Sequence, residues 1–403
     1  MNQGSPRAKI AFLTSHDPQD RKSWSGTYFH MSKALEKHCG DLFYLGPVRP
    51  KIRIIGELYS RLIQLTIGKR YDHEHSAVVA KRYAAIFDRK ISRESFDLLF
   101  APAASTQIAY LRTSVPIVYL SDTTFALIVD YYPAYSNLCK LSIREGNRVE
   151  GLAITNARLV LYPSSWAAQS AIRDYGADKE KVHVIPYGAN LEKIPPRELA
   201  LGRKKSDRCK LLFLGVSWER KGGDIAFETL LRLREMGIQA ELTVCGCDPP
   251  RKLSHRGLNV IPFLDKNDEK QGEKLARLLA GSDFLLLPTR AECAGIVFSE
   301  AAAFGLPVIT TDTGGVSGMI VNGQNGYMLP INAAPSDYAK TIYDIYQDDK
   351  HYTRLVVSSR KAFEERLNWD TWALAVSAIL RRFHLLPSGD SETTTDSPSR
   401  KTV

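Results

Sequence analysis

Runs of about four apolar residues alternate along this chain with longer stretches in which apolar positions recur every three to four residues. That alternation predicts strands separated by amphipathic helices, the signature of a parallel sheet covered on its faces. In the first half, strands are expected near Ile10–Leu13, Leu42–Leu45, Leu98–Ala101, Ile117–Leu120, Leu159–Tyr162 and Val182–Ile185. In the second half they are expected near Leu211–Leu214, Glu241–Cys245, Asn259–Pro262, Phe284–Leu287 and Val308–Ile309. Between the two sets, 191–209 carries Pro195-Pro196 and Arg203-Lys204-Lys205, lacks apolar periodicity and reads as a linker. The chain therefore divides into an α/β lobe over 1–190 and a second over 210–365, then a periodic helix within 366–386 (Trp369–Leu385) and a Ser/Thr/Asp-rich tail, 387–403, expected to be disordered. Ligands of such sheets bind outside the carboxyl ends of the strands, so parallel sheets facing each other predict a central cleft.

The segment between Pro288 and Pro307 is the richest in candidate chemistry. It joins two predicted strands through one short helix, roughly Ile296–Phe304, and holds Glu292 and Glu300. The first N–H groups of that helix belong to Gly295, Ile296 and Val297 and point out of the sheet's carboxyl edge, where they can hold an anion such as a diphosphate. On one continuous helix, eight residues at about 100° each would leave the two glutamates on different faces. Glu292 is therefore expected in the loop, facing a hydroxyl-rich group, with Glu300 one turn in and able to accept two hydrogen bonds from a vicinal diol such as a ribose. Taken singly, Glu300 could equally complement the helix dipole and Glu292 be a solvated loop residue.

A second loop, Gly215 to Asp224, follows the first strand of the same lobe and carries Arg220, Lys221, Gly222 and Gly223 ahead of an amphipathic helix. Alone it is a helix start with a solvated basic pair. Because both loops leave the same sheet edge they can converge on one ligand, where two cations would hold a leaving diphosphate.

Composition narrows the partners. The 403 residues hold 54 Lys and Arg against 44 Asp and Glu, a net charge of +10 that favours an anionic partner. The six cysteines are scattered and fit reduced thiols; no second Cys or His pair stands at zinc spacing from Cys245 and Cys247, so no metal is assigned. No spanning segment or secretory signal is read, and the chain is expected in the cytoplasm. Arg49 to Arg70 places six cations and one acid, Glu57, among apolar residues at helical spacing. Such a helix can lie on an anionic membrane, at its inner face, or pack its apolar side inward with a solvated polar face.

Taken together, the Glu292/Glu300 spacing, Lys221-Gly222-Gly223-Asp224, Gly305-Leu306-Pro307-Val308, Thr313-Gly314-Gly315 and Asn322-Gly323-Gln324-Asn325-Gly326 resemble the retaining glycosyltransferases of family 4, which have the GT-B fold. The resemblance covers nearly all of 211–330, and extends more loosely to the first lobe through Trp24-Ser25-Gly26-Thr27, Tyr162-Pro163-Ser164-Ser165 and Val184-Ile185-Pro186-Tyr187-Gly188. It implies two Rossmann-like lobes with a last helix crossing back to the first lobe, and transfer of a sugar from a nucleotide-sugar, a UDP-sugar by preference, with retention and without a metal. No cofactor is implied, the nucleotide-sugar being a substrate. By position Glu300 resembles the ribose ligand, Glu292 the carboxylate on the donor sugar, and Lys221 with Arg220 the diphosphate cations. Backbone groups at Pro262, Phe263 and Leu264 would edge the base. Gly26 and Thr27, with His16 on the loop after the first strand, would approach donor or acceptor.

Three departures stand out: Val216 and Gly318 occupy positions where relatives often carry arginine and glutamate, and Ser121-Asp122 stands where they often carry a histidine. Asp122 could hold a sugar hydroxyl, or cap a helix opening at Thr123. The acceptor is open between a saccharide, a lipid-linked molecule and a small molecule. A sugar-nucleotide 2-epimerase is the alternative within the fold, and a nucleic-acid binder the alternative outside it, for which no module is found.

Overall fold

The four-residue apolar runs Ile117–Leu120 and Phe284–Leu287 are buried at every position, as central strands covered on both faces require. The computed structural model describes residues 7–205 and 207–386, so the tail 387–403 and the first six residues lie outside the described residues. Six strands, β1 Ala8–Phe12, β2 Gly40–Tyr44, β3 Leu98–Pro102, β4 Ile117–Leu120, β5 Leu159–Tyr162 and β6 Val182–Val184, form one parallel sheet in the order 2-1-3-4-5-6. Six more, β7 Cys209–Leu214, β8 Ala240–Cys245, β9 Leu258–Ile261, β10 Phe284–Leu287, β11 Val308–Thr311 and β12 Gly326–Leu329, form a second in the order 12-11-10-7-8-9. In the second sheet the chain runs one way from β7 and the other way from β10. The loops after β7 and β10 therefore leave the sheet at its switch point, where a crevice for ligand forms.

The segment 191–209 contains the short helix Arg197–Leu201, and Arg203 fastens it to the second lobe by donating to the carbonyls of Leu279 (2.7 Å) and Phe304 (3.1 Å). The last helix, Trp369–Arg382, ends three residues before the apolar pattern does and crosses back to the first lobe. There Asp370 meets Lys37 (2.8 Å) and His38 (2.6 Å), and buried Trp372 sets its edge against Phe100 of β3. β12 was not foreseen, since Gly326 to Leu329 reads as the end of a loop motif.

The helix Ile52–Ile67 departs from one of its two expected dispositions. It has no buried residue, and Ile54, Ile55, Leu58 and Leu62 are more than half exposed, with Leu65 85% exposed. Its contact side is instead the small one: a Cβ on Gly56 would sit 2.8 Å from His73, and Ser60 donates to Tyr71 O at 2.8 Å. At about 100° per residue, these five aliphatics share a stripe about 100° wide turned away from the protein, while Ile67, also exposed, lies off it at the helix end. That stripe does not pack inward; Ile52, at the start of the helix, packs on the first-lobe core.

Candidate active site in the interlobe cleft

The helix Ile296–Ala303 begins directly after the β10 loop, with Gly295 as its N-cap at φ 82°, a conformation that costs glycine little. Phe298 donates to Gly295 O at 2.9 Å, whereas the N–H groups of Gly295, Ile296 and Val297 meet no acceptor among the described residues. All three residues line a cavity of about 740 Å³ between the lobes. An anion there would satisfy donors the fold leaves open.

Glu292 lies in the loop, and the β7 loop brings Lys221 directly onto its Oε2, with Arg220 Nη1 3.8 Å from the same oxygen. Glu292 and Lys221 are each about nine-tenths buried, so this is a desolvated pair at the cleft wall. The Arg220 guanidinium also donates to Ala291 O (2.9 Å) and lies 5.1 Å over the Tyr132 ring. Gly222 lets the two loops of the second lobe touch: its φ is 74°, and a Cβ would stand 2.0 Å from Pro288 O. Arg290 straps them, donating to Glu219 O at 2.6 Å and pairing with both Asp224 oxygens at 2.9 and 2.6 Å.

Glu300, 4% exposed, turns into the same cavity with Lys266 Nζ 2.5 Å from its Oε1. Lys266 was not foreseen, because it sits in the irregular segment after β9, where only backbone was expected to matter. Tyr131 and Tyr132 were missed too. They reach across from the first lobe: Glu292 N donates to the Tyr131 hydroxyl at 2.8 Å, and Cys293 N to the Tyr132 hydroxyl at 3.1 Å. The paired glycines hold the other side of this loop. Gly315 donates to Glu292 O at 2.9 Å, and a Cβ on it would be 1.7 Å from Cys293 O. A Cβ on Gly318 would be 2.3 Å from Pro163 O, which explains why no glutamate stands there: the Tyr162-Pro163-Ser164 turn of the first lobe fills the space.

Asp122 caps nothing. The helix after β4 is Phe125–Ile128, its N-cap is Thr124 with extended backbone, and Asp122 lines the cavity. Burial, with the charge of Glu292 added, pushes its carboxyl up to about 6. Trp24, Ser25 and Thr27 line the cavity beside it; Gly26, at φ 88°, serves the turn, and a Cβ there would be 3.1 Å from Arg21 O. Of the segment expected to edge a base, Phe263 and Leu264 line the cavity and Pro262 does not. His16 is also outside the lining, stacked on Tyr28 at 5.9 Å, its pKa lowered by burial and by Arg49 and Arg53. Among the described residues no three His, Cys, Asp or Glu side chains gather as a metal site.

The profile described as Glycosyltransferase Family 4 matches residues 31–193, and that described as Glycosyl transferases group 1 matches 208–348. A D-inositol 3-phosphate glycosyltransferase of Paenarthrobacter aurescens is 28% identical over 45% of this chain and 47% of its own. A glycogen synthase of Mycobacterium tuberculosis is 28% identical over 51% and 49%. The chain thus spans about half the length of the curated relatives it matches. Among solved structures, sucrose-phosphate synthase from Thermosynechococcus elongatus superposes with a TM-score of 0.63 at 16% identity, covering 94% of this chain and 99% of that one. Anabaena HepE in complex with UDP-glucose gives 0.58 at 17%, covering 93% and 100%. At these identities the likeness is one of fold.

Proposed function

The chain belongs to family 4 of the group 1 glycosyl transferases, and from that premise we propose that it transfers a sugar from a UDP-sugar to an acceptor hydroxyl, with the anomeric configuration retained and without a metal. One observation carries the reading. Two buried carboxylates, Glu292 and Glu300, each engaged by a lysine, flank the open N–H groups of 295–297 at the switch point of the second sheet.

In this reading Glu300 accepts the two hydroxyls of the ribose and shares its carboxylate with Lys266. The diphosphate takes the N–H groups at 295–297 together with Arg220 and Lys221. When the bond from the anomeric carbon to the phosphate oxygen breaks, charge grows on the departing diphosphate, and these fixed cations stabilise it in the transition state. Glu292 accepts from the donor sugar's hydroxyls, and Asp122 does so from across the cleft, on the acceptor side. The UDP preference is supported by the UDP-glucose held by HepE, a protein of the same fold.

A peripheral membrane contact belongs to the same reading. The exposed stripe Ile54, Ile55, Leu58, Leu62 and Leu65 is flanked by Arg49, Lys51, Arg61, Lys69 and Arg70, which complements an anionic lipid surface. No helix among the described residues is long and apolar enough to cross a membrane. Sedimentation should occur with phosphatidylglycerol vesicles and not with phosphatidylcholine, and Leu58→Gln with Leu62→Gln should abolish it.

The donor test is a thermal-shift panel of UDP-, GDP- and ADP-sugars. A ligand at 100 times its dissociation constant adds about 2.7 kcal/mol of stability, so a UDP-sugar should stand out. Silence from every nucleotide-sugar would refute the reading, and release of a free sugar from donor alone would favour epimerase chemistry. Proton NMR of the anomeric centre in the product tests retention.

A further inference from the structure

The wall of the donor cleft formed by Tyr132, Pro133 and Ala134 has a second side. Behind it lies a separate cavity of about 640 Å³, lined among others by Arg61, Leu65, Arg70, Tyr71, His73 and Tyr135, and Ala134 borders both spaces. Its walls are the exposed helix Ile52–Ile67 and the loop whose Tyr131 and Tyr132 hold the Glu292 backbone.

The loop and the helix end are tied together. Arg70 donates to Pro133 O at 2.5 Å, Lys69 to Asn137 Oδ1 at 2.7 Å, and Asn137 Nδ2 to Gly68 O at 3.0 Å. The lining is cationic where it counts: two guanidinium groups face it, and the carboxylate in the wall, Asp72, is already held by His75 at 2.6 Å. Arg70 spends one N–H on Pro133 and has others to give. At the outer edge Leu65 lines the cavity and is also the most exposed member of the apolar stripe. One molecule would match all three features: an anionic group against Arg61 and Arg70, a hydrocarbon chain leaving along Leu65, Leu62 and Leu58, and a hydroxyl-bearing group passing the Pro133–Ala134 wall toward the donor.

We propose that this second cavity is the headgroup site of the acceptor, and that the acceptor is an amphiphile in which a phosphate or diphosphate joins a hydrocarbon chain to the group that is glycosylated. The assignment rests on the donor reading above, since only a sugar donor beyond the Pro133–Ala134 wall makes this cavity an acceptor site.

Dodecyl phosphate below its micelle concentration is the probe, titrated into the full chain by calorimetry, with dodecyl maltoside and inorganic phosphate as the tail-only and head-only controls and UDP titrated in parallel. Wild type should bind dodecyl phosphate at least about tenfold more tightly than either control. Arg61→Ala and Leu65→Gln change exposed side chains, so the fold should survive, and each should lose about tenfold in dodecyl phosphate affinity with UDP affinity unchanged. Unchanged binding by both variants would overturn the proposal. So would inorganic phosphate binding as tightly as dodecyl phosphate, which marks a free-anion site, or a wild-type dimer that Leu65→Gln dissolves without any effect of dodecyl phosphate, which gives the helix to a second copy. Binding of dodecyl phosphate without binding of UDP would support the site and sink the donor reading alone.

Discussion

Removing Lys221 and Glu292 together should cost less than the sum of the two single removals. Both side chains are about nine-tenths buried and in direct contact, so either single truncation strands a desolvated charge, a loss of about 3–5 kcal/mol for buried pairs. The two losses should differ. After Lys221→Ala, Glu292 keeps Arg220 at 3.8 Å, an attraction of about 4 kcal/mol at an effective dielectric constant of 20, which offsets part of its desolvation. After Glu292→Ala, Lys221 and Arg220 face each other with no anion between them. Lys221→Ala should therefore fall near the lower end of the range and Glu292→Ala near the upper. In the double variant neither charge is stranded, and its cost should fall short of the sum by roughly 2–3 kcal/mol. Urea denaturation followed by tryptophan fluorescence reads this, because Trp218 is 5% exposed and packs on Gly223 at the end of the same turn. Costs that add to within about 0.5 kcal/mol would refute the coupling and with it the placement of Lys221 on Glu292.

The remaining predictions follow from neighbouring contacts. Lys221→Ala should lower kcat much more than it weakens donor binding, since the leaving diphosphate gains its charge only in the transition state; single-turnover kinetics separates the two. The folded pKa of Asp122 is raised to about 6 from an ordinary 3.8, so its ionisation opposes folding: the stabilising contribution is full below about 3.8 and is lost as pH rises through 6. Asp122→Asn should therefore raise stability at pH 7, by at most about 3 kcal/mol at 1.36 kcal/mol per unit, while removing a rise in transfer rate centred near pH 6; melting temperature and rate on one preparation check both. Tyr131→Phe removes the acceptor for Glu292 N–H and should cost about 1–3 kcal/mol in urea denaturation, with weakened donor binding. Gly315→Ala should displace the Glu292 loop, because its Cβ would stand 1.7 Å from Cys293 O, and calorimetry should show UDP binding lost.

The pattern of apolar runs revealed eleven of the twelve strands because buried parallel strands leave a continuous local signature. β12 escaped because its Gly-Tyr-Met-Leu is short and its first residue is a glycine whose Cβ would be 2.1 Å from Val308 O. The second-lobe site was legible through loops that leave one sheet edge, which put Lys221, Glu292 and Glu300 on the cleft. Lys266 and the two tyrosines were not. They act from irregular segments, and Tyr131 lies 161 residues from its partner Glu292, so no spacing encodes the contact. The helix Ile52–Ile67 shows the converse: its period was plain, but the face that touches the protein is the small one, around Gly56 and Ser60. Periodicity shows that a helix is amphipathic, and not which partner its apolar side meets. Asp122 stayed ambiguous because a polar residue after a strand fits a cap or a ligand equally, and the choice turned on where the next helix starts.

The central claim is that the N-terminus of the helix Ile296–Ala303, with Glu300 one turn in, binds the nucleotide. Calorimetric titration of UDP in the presence of EDTA, into wild type and Glu300→Ala side by side, tests it most directly. The account predicts one saturable site in wild type, unaffected by EDTA, and a loss of about 1.5–3 kcal/mol in the variant, roughly ten- to a hundredfold. Equal affinity in the two proteins, or binding that EDTA abolishes, would contradict it.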